Sequence, residues 1–124
     1  MDQDRKQYIK DFKKRLYQFT LRLIVLLDRL PGDMVSRRIG DQLLRSGTSV
    51  IGNYVEGQAA SSKKDFAKYL NIALKSANES KLWTAILKDT KRIPPQSSVW
   101  FLKELEELSN ILARSILTLK QKIN

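Results

Sequence analysis

Cationic side chains recur at helical spacing in two parts of the sequence, and their chemistry suits the binding of anions. Arg15, Arg22 and Arg29 are seven residues apart, so that they line one edge of a helix. A second group of cations lies between residues 63 and 92. Guanidinium groups bind phosphates in a bidentate geometry, and lysine ammonium groups act as point charges. The candidate nucleic-acid-binding residues are Arg15, Arg22, Arg29, Lys63, Lys64, Lys68, Lys75, Lys81, Lys88 and Arg92.

The overall charge favours the same interpretation. The chain has 23 Lys and Arg against 13 Asp and Glu, a formal net charge of +10 over 124 residues. Such an excess favours phosphate backbones, because neutralised phosphates release counterions. For any single row of cations, a solvated face or pairing with acids of a neighbouring helix is the stronger explanation. The sum of the rows favours RNA or DNA over the alternatives, which are a charge that only confers solubility and an acidic protein or membrane surface as partner.

The residue types available for catalysis are few. Cysteine and histidine are absent, which excludes disulfides, thiolate metal sites and the commonest general base. Glu56, Asp65 and Glu79 could be read as a carboxylate site, but di-metal helical bundles use a Glu-x-x-His motif. We therefore expect no catalytic residues, no metal and no cofactor. A nuclease that uses Asp or Glu with a divalent metal is the remaining enzymatic alternative.

Apolar residues at intervals of three and four predict four amphipathic helices, at about 3–30, 34–56, 62–92 and 97–123. Pro31-Gly32, Gly57 and Pro94-Pro95 separate them, and Gly57 is placed to end the second helix in a left-handed cap. The pattern predicts an all-α fold, an up-down-up-down antiparallel four-helix bundle with a single domain over residues 1–124. The predicted core of the first two helices comprises Tyr8, Phe12, Leu16, Phe19, Leu23, Leu26, Leu27, Leu30, Val35, Ile39, Leu43, Val50, Tyr54 and Val55.

No segment approaches the roughly 20 apolar residues that span a bilayer, and the first residues contain no apolar run that would predict a signal peptide. We expect a cytoplasmic protein without a membrane partner. Aromatic side chains could stack on nucleic-acid bases, although most of them lie on core stripes. Tyr17 and Trp100 fit those core stripes less well.

Polar residues share one face of the second helix, which is unusual for a bundle. Arg45, Ser49, Asn53 and Glu56 are separated by four, four and three residues. Buried polar groups need partners, and Glu79 on the third helix is the expected partner of Arg45. We predict a structural polar network of Arg45, Ser49, Asn53, Glu56 and Glu79 that fixes the helix register.

This stretch belongs to a longer pattern of residues, which are Gln42, Arg45, Ser46, Ser49, Val50, Asn53, Glu56 and Gly57, followed by Phe66, Leu70, Ala73, Ser76 and Glu79. The pattern resembles the four-helix bundle protein family first noted as proteins encoded in intervening sequences of bacterial 23S ribosomal RNA genes. Ile51 stands where proline is more usual in that family, and Tyr54 replaces an aliphatic residue. The resemblance covers nearly the whole chain.

The resemblance implies a homo-oligomer, because members of this family look like homopentamers with a central channel. A related branch, the accessory variability proteins of diversity-generating retroelements, is very basic and binds both a reverse transcriptase and nucleic acid. We expect a non-enzymatic, homopentameric accessory or scaffold protein that binds RNA or DNA. The alternative is a protein-interaction module that partners a reverse transcriptase in a retroelement ribonucleoprotein.

Apolar residues outside the core stripes independently favour self-association. They are Leu74, Leu82, Ile86, Leu102, Ile111 and Leu117. Because the second and fourth helices are nearly neutral, we expect them to pack between subunits while the first and third face outwards.

Overall fold

The structure, a computed structural model, describes residues 3–123. Four helices occupy this range: α1 (Gln3–Asp28), α2 (Met34–Gln58), α3 (Lys63–Asp89) and α4 (Pro95–Ile123), and no strand occurs within it. Each helix packs on the next, and α1 also contacts α4. The predicted all-α four-helix bundle is confirmed. Residues 1, 2 and 124, which belong to the predicted domain, lie outside the described range. No helix in the described range is long and apolar enough to cross a membrane.

Small side chains let α2 and α3 approach each other more closely than any other pair of helices. The buried face of α2 includes Ser46 and Gly57, and that of α3 includes Ala73, Ala77 and Ser80. An ideal Cβ on Gly57 would lie 3.0 Å from Cδ1 of Phe66. The predicted left-handed cap at Gly57 is therefore wrong: Gly57 lies inside α2, and no glycine of the described range has a positive φ. Its missing side chain makes room for α3.

The large core side chains come mainly from α1 and α4, the neighbouring helices whose backbones approach each other least. Phe19 and Phe101 meet edge to face across this gap, with ring centroids 5.7 Å apart. Leu23 lies fully buried beneath Gly47 of α2, where an ideal Cβ would be 2.2 Å from its Cδ2 atom. The bundle thus combines one tightly apposed pair of helices with one wide pair that bulky side chains fill.

Three residues of the predicted core of the first two helices are exposed. Tyr8, Val35 and Val55 have exposed fractions of 56%, 40% and 44%. Val35 and Val55 lie outside the core because the buried stripe of α2 passes through its serines and glycines, which rotates those valines onto a flank. Prediction from the large apolar residues alone therefore misplaced part of the face of α2.

The end of α3 differs from its predicted position at residue 92. Its last helical residue is Asp89, and Lys91 adopts a left-handed conformation with φ of 59°. The Arg92 N–H then donates to the Leu87 carbonyl (2.8 Å), and the Lys91 N–H donates to the Lys88 carbonyl (3.0 Å). This is a Schellman motif. It turns the chain sharply, so that Arg92 leaves the helix.

Gly47→Ala and Gly52→Ala should have opposite effects on stability. At Gly47 the added methyl group meets the buried Leu23 side chain, whereas at Gly52 nothing lies within 4 Å of it. We expect Gly47→Ala to lower the free energy of unfolding by about 1–2 kcal/mol, because overpacking outweighs the helix propensity of alanine. Gly52→Ala should raise it by about 0.5–1 kcal/mol. Urea denaturation at one fixed protein concentration tests this pair, and equal effects would contradict the packing argument.

Candidate nucleic-acid interface

Two candidate cations form ion pairs with glutamates of α4. Arg15 on α1 donates from Nη2 to Oε1 of Glu104 (2.7 Å) and of Glu107 (2.8 Å), and from Nε to the second oxygen of Glu104 (2.9 Å). The bond to Glu104 is the main reason that the pKa of Arg15 lies above its ordinary value. Lys81 on α3 donates to Glu106 at 2.7 Å. These pairs connect helices, and they occupy cations that the sequence assigned to phosphate binding.

Arg92 belongs to a third connection, at the start of α2. Asp33 is the N-cap residue of α2, and its carboxylate accepts hydrogen bonds from the Ser36 hydroxyl (2.6 Å) and the Ser36 N–H (3.2 Å). Arg92 donates from Nη2 to Asp33 (3.2 Å) and from Nε to the Ser36 hydroxyl (3.0 Å). The Ser36 bonds, more than Arg92, lower the pKa of Asp33 to about 2. An arginine has five N–H donors, so Arg92 retains donors for another ligand.

The remaining candidate cations face solvent. Lys64, Lys68 and Lys75 are exposed and form one row on the outward face of α3, about 16 Å long at 1.5 Å per residue. No carboxylate of residues 3–123 forms a salt bridge with any of the three. Lys63, which is also exposed, precedes the row. The Nζ atom of Lys88 lies 3.7 Å from Oδ1 of Asp89, its neighbour in the chain. This row is an accessible part of the predicted surface without an ion-pair partner in the described range.

A cleft between α1 and α4 brings three of the candidate arginines together. It has a volume of about 560 Å³, and the link from α3 to α4 closes one end of it. Arg22, Arg29 and Arg92 line it, and no aspartate or glutamate does. Arg22 lies over the Trp100 ring, with 4.2 Å from its guanidinium carbon to the ring centroid, a distance typical of a cation–π contact. We call this site the arginine cleft.

The polar face of α2 packs on α3 through hydroxyl pairs. The Ser80 hydroxyl donates to that of Ser46, and the Ser76 hydroxyl donates to that of Ser49, each at 2.8 Å. Asn53 donates its amide N–H to the same Ser49 oxygen (2.8 Å). Ser46 and Ser80 are buried, so these bonds satisfy groups that would otherwise cost stability. We call this hydroxyl-paired contact between α2 and α3 the seam. Of the predicted polar network, Ser49 and Asn53 lie within it.

The expected pairing of Arg45 with Glu79 is not formed within the described residues. Arg45 precedes Ser46, which faces α3, and one helical step of about 100° turns the arginine to solvent. Glu79 instead accepts a hydrogen bond from the Trp83 indole (3.0 Å), and Glu56 is exposed. Residues 3–123 also contain no group of three or more His, Cys, Asp or Glu that could hold a metal ion.

A protein-family model and a solved structure match this chain. The family model described as 23S rRNA-intervening sequence protein matches residues 10–114. The chain belongs to this family. A solved structure of a protein with unknown function from the S23 ribosomal protein family of Bacteroides thetaiotaomicron VPI-5482 has 32% identity and a TM-score of 0.80, with 85% of this chain and 97% of that chain covered. No curated protein matches the chain significantly.

Part of the pattern by which the sequence resembles the 23S rRNA-intervening sequence protein family lies in the seam between α2 and α3. Ser46 and Ser49 meet Ser80 and Ser76 there, and Gly57 makes room for Phe66. This part of the pattern specifies close packing of two helices. Its other members include Gln42, Arg45, Glu56 and Glu79, which are exposed.

Sequence reasoning did not anticipate the arginine cleft or the Asp33–Ser36–Arg92 connection. The spacing of Arg22 and Arg29 was visible, and Trp100 stood outside the core stripes. Nothing local to the sequence showed that Arg92 would leave α3 and join them. The Schellman motif at Lys91, where an ordinary C-terminal signal such as glycine is missing, decides its position.

Replacing Asp33 with asparagine should weaken the acid sensitivity of the fold. The pKa of Asp33 is lower in the folded chain, about 2, than its ordinary value of 3.8, so its carboxylate stabilises the fold above about pH 4. That stabilisation is lost as the pH falls from about 4 towards 2. Asparagine can still cap α2 but does not titrate in this range. Urea denaturation at pH 6 and pH 2.5 should show a smaller loss for Asp33→Asn than for the wild type; an equal loss would contradict this role.

Proposed function

We propose that this protein is a non-enzymatic, homo-oligomeric accessory or scaffold protein that binds RNA or DNA through its phosphate backbone. The observation that carries the proposal is the row of Lys64, Lys68 and Lys75, which is exposed and lacks a carboxylate partner within residues 3–123. A polyanion supplies the missing charge at the regular spacing that such a row can follow. The net charge of +10 supports the same partner.

The ion pairs divide the cations into two roles. Arg15 and Lys81 connect helices through the glutamates of α4, so we assign them to the structure of the bundle before ligand binding. Lys63, Lys64, Lys68, Lys75, Arg22 and Arg29 are free of such pairs within the described residues, and we assign them to phosphate contacts. Arg92 contributes through the donors that Asp33 and Ser36 leave unused.

Exposed apolar side chains support self-association. Tyr17, Leu21, Ile24 and Val25 lie together on the outward face of α1, and all four are exposed. Leu21 and Val25 also line the arginine cleft, so the cleft adjoins this face. A continuous apolar run of this kind on a helix surface is typical of an interface. We propose that this face, and not α2 and α4 as the charge distribution suggested, lies between subunits of a pentamer. The number five follows from the family resemblance.

Removing the α3 row should weaken nucleic-acid binding and its dependence on salt. We expect the triple variant Lys64→Gln, Lys68→Gln, Lys75→Gln to reduce the slope of log affinity against log salt by about 0.7–0.9 for each lost phosphate contact. Filter binding with structured RNA and with duplex DNA at several salt concentrations measures this slope.

The control variant Lys103→Gln, Lys120→Gln, Lys122→Gln removes the same charge from α4. It should change the slope less than the α3 variant. A flat salt response of the wild type, or no binding at low salt, would overturn the proposed nucleic-acid role. Equal effects of the two variants would show that net charge alone, without this row, determines binding.

A charge on the outward face of α1 should disrupt the oligomer. Ile24→Glu places a carboxylate in the proposed interface, where its burial without a partner is unfavourable. We expect light scattering to give a mass near five chains for the wild type and a lower mass for this variant. Val99→Glu, at a position on α4 that is 66% exposed, is the control and should keep the wild-type mass. A wild-type mass of one chain would contradict self-association.

A further inference from the structure

The arginine cleft exists because α1 and α4 stand apart. Phe19 and Phe101 fill the middle of the gap between the two helices. The ion pairs of Arg15 with the α4 glutamates cover the gap on the side towards the N-terminal end of α1. Beyond them, towards the C-terminal end of α1, the gap is not filled. The volume of about 560 Å³ lies within the range of about 300–1,000 Å³ that ligand pockets have.

The lining combines an apolar floor with cations at the rim. Leu26, Ile93 and Phe101 are buried core residues whose edges form part of the floor. Arg22 lies on α1, and Arg29 directly follows its last residue, about two helical turns or about 10 Å further along the helix axis. Arg92 joins the rim from the link between α3 and α4. A ligand that matches this lining has a flat or apolar body and more than one negative charge.

Trp100 supplies a surface for stacking. Its ring is partly buried, packs edge-on against Phe101 at 4.8 Å, and carries the Arg22 guanidinium over one face. Tryptophan rings and guanidinium planes are both surfaces on which unpaired bases stack. A base stacked there would have its own phosphates within reach of arginines along the cleft.

We propose that the arginine cleft holds one unstacked nucleotide of single-stranded nucleic acid, with its base against Trp100 and its flanking phosphates at Arg22, Arg29 and Arg92. This inference rests on the proposed nucleic-acid-binding function and adds that the strand is read as single-stranded at this point. A paired base is held in its duplex and cannot enter the cleft without flipping. A strand has a phosphate on each side of every base, which matches cations distributed along the cleft. An acidic peptide matches the charge without supplying the flat ring, so we favour nucleic acid.

The first experiment compares two single strands of equal charge, and the duplex, on the unaltered protein. A short single-stranded RNA, a strand of the same length in which central nucleotides are abasic, and the corresponding duplex are titrated at one salt concentration. We expect the complete strand to bind about tenfold more tightly than the abasic strand, since base–aromatic stacking contributes on this scale. Equal affinity for the two strands would overturn the inference and leave backbone binding intact, whereas no binding of any strand would overturn the proposed function itself.

The second experiment locates the base at Trp100. Because the chain has two tryptophans, Trp83→Phe leaves Trp100 as the only indole, and its fluorescence should be quenched by the complete strand but not by the abasic one. Trp100→Leu should lose the roughly tenfold preference for the complete strand, and Trp100→Phe should keep most of it. Trp83→Leu, which removes the indole outside the cleft, should bind like the wild type.

Folding and assembly are checked separately for each variant by thermal denaturation and light scattering. Loss of the preference in Trp100→Leu with unchanged mass and melting supports the proposed site. Should Trp100→Leu unfold, the quenching of Trp100 in the Trp83→Phe protein decides the question without it. Quenching by an acidic peptide, without quenching by RNA or single-stranded DNA, would overturn the inference in favour of a protein partner.

Discussion

The close approach of α2 and α3 is the constraint on which the rest of the bundle depends. Glycine, alanine and serine on the facing surfaces remove the side-chain volume that normally separates two helices. The serine hydroxyls pair across the contact, so the polar atoms brought into the core are satisfied. Because small residues cannot fill a core alone, the phenylalanines and leucines of α1 and α4 must supply the volume on the other side. The close packing of α2 and α3 is therefore accompanied by a wide separation of α1 and α4, which these larger side chains fill.

The same asymmetry organises the charge. The glutamates of α4 face the neighbouring helices. Glu104 and Glu107 pair with Arg15 across the wide side of the bundle, and Glu106 pairs with Lys81 of α3. Partly exposed pairs of this kind contribute modestly to stability, so their larger effect is to decide which cations stay accessible. The cations on the outward face of α3 and in the arginine cleft stay accessible. The basic surface is thus smaller and better defined than the net charge of +10 indicates.

The buried part of the family pattern and the candidate nucleic-acid interface lie in different parts of the chain. Ser46, Ser49, Gly57 and Ser76 of the pattern lie in the seam between α2 and α3, where substitution would change how closely the helices pack. The candidate interface lies on α1, on the outer face of α3 and around Trp100, outside that seam. Relatives can therefore share this bundle while their outer surfaces present different charges to different partners.

The sequence by itself determined the four helices, the positions of their links and the family, because helical periodicity, proline and glycine act locally along the chain. It also showed that cations exceed acids, and it identified most of the large core residues of α1. Only the tertiary structure decided which cations are free, since Glu104 meets Arg15 across 89 residues. It likewise decided that Gly57 makes room for α3 instead of ending α2, and that Arg92 joins Arg22 and Arg29 at one cleft. Contacts between distant residues depend on how the helices rotate against one another, and small side chains, which carry little hydrophobic signal, set that rotation here.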